Sequence, residues 1–193
     1  PCLIKKISLY PRMHLGVFAA GDKEGSTYLN IANNSQASSL LSFGTHSTEY
    51  PSIQFVSSVQ VKMKRIDDWI EESSFDRSLY NFANLDVQGF ELPAIKGMVR
   101  QLEHLKYIYT EVNSNELYVN CTKLSDLDQF LYAYGFKRVL TLLTDQGWGD
   151  ALYAKEGLWR LRAYFFVAKT YKRAMRLIKT AVKGIFMNIG SST

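Results

Sequence analysis

Cysteine is scarce: Cys2 and Cys121 are the only two in 193 residues. Two thiols make neither a disulfide framework nor a zinc site, so a stapled scaffold and a zinc module are both excluded. Long apolar runs are missing too. A membrane span needs about 18 apolar residues in a row, and the longest candidate, Leu158 to Ala168, is interrupted by Arg160 and Arg162. No secretory leader is visible. Asn33-Asn34-Ser35 and Asn120-Cys121-Thr122 match the glycosylation triplet, but such triplets are common by chance. A glycine-rich nucleotide loop is also lacking. The only Gly-x-Gly, Gly147-Trp148-Gly149, has no helix after it. There is no internal repeat and no low-complexity block.

What is present suits one globular domain with a proper core: 47% hydrophobic and 21% charged residues. Charge is unevenly placed. Lys155 to Thr193 holds nine of the 23 basic residues and one acid, Glu156, for a net +8. The remainder, with 14 bases and 17 acids, stands at −3, so the basic balance belongs to the tail. This divides the chain into a body over 1–154 and a basic tail over 155–193.

The body is organised around Asn81-Phe82-Ala83-Asn84-Leu85-Asp86-Val87-Gln88-Gly89-Phe90-Glu91-Leu92. The pattern predicts a buried strand from Leu79 to Val87, a tight turn at Gly89, and a helix from Glu91 to about Leu105. Open α/β sheets put their chemistry where a strand turns into a helix. Asp86 then projects into the crevice at the strand end, although the same residue could simply cap the helix. Glu91 sits where a helix N-terminus favours negative charge.

In chain order, Leu3, Ile4, Ile7 and Leu9 suit one face of a short helix. His14 to Ala20 and Ser26 to Ala32 read as a hairpin across Gly21-Asp22-Lys23-Glu24-Gly25. Asn33 to Ser58 is a long polar loop carrying His46. Val59 to Met63 alternates as a strand, and Ile66 to Glu72 is a short helix with Trp69 and Ile70 inward. Tyr107 to Val112 is a strand whose last acid is Glu111, followed by Asn113. Ser125 reads as the N-cap of a helix that Gly135 closes. Phe136 to Thr144 and Trp148 to Ala154 form an antiparallel hairpin at the sheet edge. The alternation predicts an α/β fold, mostly parallel, with helices on both faces.

Leu85-Asp86-Val87-Gln88-Gly89-Phe90-Glu91-Leu92, then Lys96-Gly97, Tyr109-Thr110-Glu111-Val112-Asn113 and Gly147-Trp148-Gly149-Asp150-Ala151-Leu152-Tyr153, resemble the FkbM family of methyltransferases. Ala19 to Gly25, Ser38-Ser39-Leu40 and Arg65-Ile66-Asp67-Asp68-Trp69 fall in the family's order. The resemblance covers about Pro1 to Tyr153. It implies a Rossmann-like class I methyltransferase sheet, S-adenosyl-L-methionine as cofactor, and O-methylation of a sugar or natural-product hydroxyl. The family pattern opens with a strand, a glycine-rich Asp-x-Gly-Ala-Asn-x-Gly turn and a second strand. None of these is in this sequence. The expectation is therefore a sheet lacking its first two strands, and a natural protein longer than this chain.

The resemblance places Asp86 near the methyl group and the acceptor, and Glu111 at the parallel position on the next strand. His46 suits a general base by its ordinary pKa, against the plain reading of a solvated loop residue. The resemblance puts the adenine at Ala20, Gly21 and Asp22, which also make an ordinary turn. Asn113 and Glu91 are candidates for substrate binding; the plain readings are a turn residue and a helix-start residue. Metal-independent chemistry is the expectation, because two carboxylates without tight spacing are a weak metal signal.

In the tail, Lys169, Lys172, Arg173, Arg176, Lys179 and Lys183 gather on one helical face. Ala174, Met175, Ile178, Ala181, Val182 and Ile185 gather on the other. Over 158–187 this suits either an anionic membrane surface or docking on the body or a partner. No recognition motif points to nucleic acid. The expected location is cytoplasmic, with peripheral membrane contact through the tail. The competing function is a non-catalytic, methyltransferase-like remnant that binds a membrane surface or a partner.

Overall fold

The computed structural model describes residues 13–158. The predicted helix near Leu3 to Leu9 and the basic tail after Leu158 lie outside the described residues. Among the described residues, seven strands form two sheets. In the first, β1 (Ala19–Ala20), β3 (Phe55–Lys64) and β2 (Gly25–Ala32) lie in that order. In the second the order is β4 (Phe82–Leu85), β5 (Tyr107–Asn113), β7 (Trp148–Lys155) and β6 (Phe136–Leu143).

The fold is α/β with mixed sheets rather than one mostly parallel sheet. β4 and β5 are parallel, and β7 is antiparallel to both β5 and β6. So β4, β5 and β6 share one direction and β7 alone opposes them. The predicted C-terminal hairpin is present, but β7 lies inside the sheet and β6 at its edge. β7 pairs with β5 along one edge and β6 along the other, and Ala151 to Ala154 are all buried, as in a central strand covered on both faces.

The predicted hairpin of the first two strands does not form. β1 pairs with β3 in parallel at Ala19↔Met63, and β2 pairs with β3 antiparallel from Gly25↔Met63. The ten residues of β3 insert between them, with Met63 packed close under Gly21. The polar stretch before β3 is not structureless. It carries a 3-10 turn at Ser35–Ala37 and the short helix α1 (His46–Glu49).

Helix α2 spans Ile66–Glu72, the range the sequence predicts. The long helix expected after Gly89 breaks into α3 (Glu91–Lys96) and α4 (Val99–Leu102). The break serves a close approach. A Cβ on Gly97 would lie 1.9 Å from the carbonyl oxygen of Gly21. Past the break, the N-terminus of α4 is capped from another element. The fully buried Asp67 of α2 accepts the backbone N–H groups of Arg100 (2.8 Å) and Gln101 (3.1 Å). The Asp67 N–H donates to Gly97 O at 2.9 Å, and Arg77 pairs with the carboxylate at 2.7 Å. Negative charge at a helix N-terminus is favourable, so one side chain stitches three segments together.

Helix α5 spans Leu124–Ala133, and Ser125 lies inside it rather than capping it. Tertiary contacts place this start. Lys123 bridges Asn113, Thr122 N donates to Gly89 O at 2.8 Å, and Leu92 N donates to Thr122 Oγ1 at 3.0 Å. Gly135, at φ +79°, ends the helix as expected. The main core lies between the second sheet and α3 to α5, where Ile95, Leu102, Ile108, Val112, Leu127 and Leu131 are inaccessible to solvent. Each such side chain contributes roughly 1.5–3 kcal/mol by leaving water. Lys155 ends β7, and Leu158 packs against the small cluster formed by Val139, Leu140, Leu152 and Ala154.

Candidate active site

Parallel pairing of β4 with β5 sets the site. The register Asn84↔Tyr109 and Leu85↔Thr110 brings Asp86, the residue after β4, level with Glu111. Side chains alternate along a strand, so Tyr109, Glu111 and Asn113 share one face of β5. Beyond Asp86 the chain turns through two residues of positive φ, Gln88 (+52°) and Gly89 (+95°). Glycine is needed at 89, where a Cβ would also meet that of Cys121 at 2.9 Å.

Gln88 makes the central contacts. Its side-chain Nε2 donates to Asp86 Oδ1 at 2.5 Å and to Glu111 Oε2 at 2.7 Å. The Tyr118 hydroxyl donates to Gln88 Oε1 at 2.8 Å, and Ser39 Oγ donates to the Gln88 carbonyl at 2.7 Å. Neither Gln88 nor Tyr118 stands out in the sequence as a site residue. The one available signal is a polar amide inside an Asp-x-x-Gly turn after a buried strand.

Burial sets the electrostatics. Glu111 is nearly buried, and desolvation, then the charges of Glu91 and Asp86, push its carboxyl up to about 8. A hydrogen bond with Asp86 adds to the rise. Asp86 itself is exposed. Glu91 is fully buried at the start of α3. Its Oε1 accepts the N–H groups of Val87 (3.3 Å) and Gly89 (3.1 Å), and burial pushes it up to about 7. Its Oε2 has no partner among the described residues.

Asn113 is 1% exposed, and neither atom of its amide has a partner among the described residues. A buried, unpaired amide is costly unless a ligand or water completes it. Trp148 lies opposite Asn113 on β7, and its indole N–H donates to Tyr50 Oη at 2.9 Å.

His46 is not a solvated loop residue. It is 5% exposed, stacked on Phe43 at 4.2 Å and set against Tyr50 and Tyr118. Burial lowers its pKa, so the ring is neutral near pH 7. Tyr118 joins it to the Gln88 group.

Ala20, Gly21 and Asp22 follow β1. Gly21 is buried, and its N–H donates to Lys64 O at 3.1 Å, while Asp22 is exposed. Ala20 and Asp86 line one cavity of about 430 Å³, together with Trp69, Phe75, Ala83 and Leu85. The structure therefore gathers Asp86, Glu111 and Glu91 at the strand ends, with Asn113 one alternation further along β5. Ala20 lies across the cavity and His46 beyond Tyr118. Among the described residues, no three His, Cys, Asp or Glu side chains are grouped so as to hold a metal ion, and no helix is long and apolar enough to cross a membrane.

The arrangement offers an exposed carboxylate beside a protonated one, an amide with unmet hydrogen bonds, and an apolar cavity alongside. Residues 12–138 match the family described as the methyltransferase FkbM domain. The chain is also 29% identical over 114 residues to 2-O-methyltransferase NoeI of Sinorhizobium fredii strain NGR234. That match covers 55% of this chain and 46% of the relative, so the chain spans about half the relative's length. No solved structure matches it.

Proposed function

The chain belongs to the FkbM methyltransferase family, and on that premise we propose that it O-methylates a hydroxyl of a sugar or glycan with S-adenosyl-L-methionine. The observation that carries this reading is the shared cavity. An apolar wall, Ala20 with Trp69 and Phe75, lies in the same cavity that Asp86 lines at the end of β4. That suits a flat heteroaromatic group at one end and a cationic centre at the other. Ala20, Gly21 and Asp22 would hold the adenine. The cofactor, when bound, supplies an electrophilic methyl group on a sulfonium sulfur. We read the outer strands β1 and β4, which both contribute to this cavity, as the places where the family's first two strands would join the sheet.

The remaining roles are assigned to Asn113, Asp86, Glu111 and Glu91. Asn113 meets the acceptor hydroxyls with its unpaired amide. Asp86 accepts the hydroxyl proton as the new oxygen–carbon bond forms and the sulfur–carbon bond breaks. Glu111, protonated near neutral pH, adds no second negative charge beside it. Glu91 holds the turn that carries Gln88. Positioning and general-base help then supply the rate.

The test is transfer of labelled methyl from S-adenosylmethionine to saccharide acceptors. Asp86→Asn should lower kcat by about a hundredfold or more while far-UV circular dichroism stays unchanged. Full turnover in a folded Asp86→Asn protein would remove Asp86 from the mechanism.

A further inference from the structure

We propose that Gln88 is a positioning residue: its side-chain amide locks the Asp86 and Glu111 carboxyls together and turns their remaining oxygens toward the acceptor. The proposal deepens the methyl-transfer reading and rests on it for the word acceptor. The lock itself stands on geometry alone.

One nitrogen reaches both acids, at 2.5 Å and 2.7 Å, and takes one oxygen from each. Asp86 Oδ2 and Glu111 Oε1 are left outside its grip. The amide cannot rotate freely, because the Tyr118 hydroxyl donates to its oxygen. A flipped amide would set its one oxygen against both carboxyls and its donors against the Tyr118 hydroxyl. The backbone is held as well, by Ser39 Oγ on the Gln88 carbonyl. Gln88 adopts φ +52°, a conformation uncommon for residues other than glycine. Such a cost persists where the surroundings over-determine it, and here two hydroxyls and two carboxyls do so.

Glutamine has the right chemistry for this place. Glutamate would add a third carboxyl to the pair and, when ionised, offer no donors. Lysine would be a mobile point charge that neutralises one acid. A neutral amide supplies two donors in a fixed plane and leaves the charge of the pair unchanged.

The titratable groups around the pair are Glu91 from α3, Asp150 from β7, Tyr109 on β5 itself, and Tyr118 and Cys121 from the segment after β5. Removing the amide donors withdraws hydrogen bonds from the charged forms, and that raises a carboxyl pKa.

The first experiment needs neither cofactor nor acceptor. Carbon-13 carboxyl resonances of Asp86 and Glu111 are followed against pH in the purified chain. In wild type Glu111 should titrate near 8. In Gln88→Leu it should titrate about one pH unit higher. Tyr118→Phe keeps Gln88 and frees only its amide, and should move Glu111 the same way by a smaller amount. It serves as the independent variant should Gln88→Leu fold poorly. A Glu111 titration unchanged from wild type in the folded variants overturns the proposal.

The second experiment follows methyl transfer. Gln88→Leu should lower kcat more than tenfold, leave KM for the acceptor within about twofold, and shift the pH profile of kcat along with Glu111. A loss confined to KM also overturns it. If wild type shows no transfer, the enzymatic reading fails, and the titrations still decide whether Gln88 couples the two acids.

Discussion

Glu91 and Glu111 hold protons in the folded chain that they would release on unfolding. Their ordinary value is 4.5, and burial lifts them to about 7 and about 8. Between those values the unfolded state binds fewer protons, so stability falls as pH rises. Each group contributes up to about 1.4 kcal/mol per pH unit across its own window. The urea midpoint should therefore decline from about pH 5 to about pH 8 and level off above. Glu111→Gln, which cannot ionise, should flatten the upper part of that decline. A midpoint constant over this range would contradict the burial argument. Asp86 and Glu111 were legible in the sequence because each ends an apolar run before a turn. Their amide clamp was not, since it needs the register of β4 on β5 and the return of the chain at Tyr118. The burial of His46 was hidden for a similar reason. Phe43 and Tyr50 flank it in the chain, but Tyr118 comes from the segment after β5.

Among the elements, helix α2 was readable from its own residues, and its bounds match. The break between α3 and α4 was not, because its cause is Gly21, far back in the chain. Local pattern reports propensity, whereas the joint between distant backbones is a packing fact. Gly97→Ala would push a methyl group into the Gly21 carbonyl and should cost about 1–3 kcal/mol, seen as a drop of several degrees in Tm. Asp67→Ala removes the acceptor from two helix N–H groups and leaves Arg77 without its buried partner. The expected loss is about 3–5 kcal/mol. If either variant melts like wild type, the two contacts are incidental to the joint. The start of α5 teaches the same lesson. Serine at 125 has the chemistry of a cap, yet the bridge between Lys123 and Asn113 decides where the helix begins.

At the scale of the molecule, charge and fold part company. The body carries the candidate site and a slight negative balance, and the strongly basic residues follow it. Electrostatic attachment to anionic lipid is strongly screened by salt. The chain should co-sediment with phosphatidylserine-containing vesicles at low salt, and lose this at high salt or when truncated after Leu158. Equal sedimentation with and without those residues would assign the contact to the body. The α/β class and the order of elements were visible in the alternation of apolar runs and turns. The division into two sheets was not, because β3 and β7 each enter between strands, which no local pattern encodes.

Trp69 borders the cavity that Ala20 shares with Asp86, and Trp148 stands across from Asn113. Two native fluorophores thus stand beside two parts of the candidate site. With Trp159 replaced by phenylalanine, variants keeping only one of the pair would give separate optical signals for occupancy of the cavity and of the β5 face. The order in which two ligands arrive could then be timed in a stopped-flow mixer without attaching a dye.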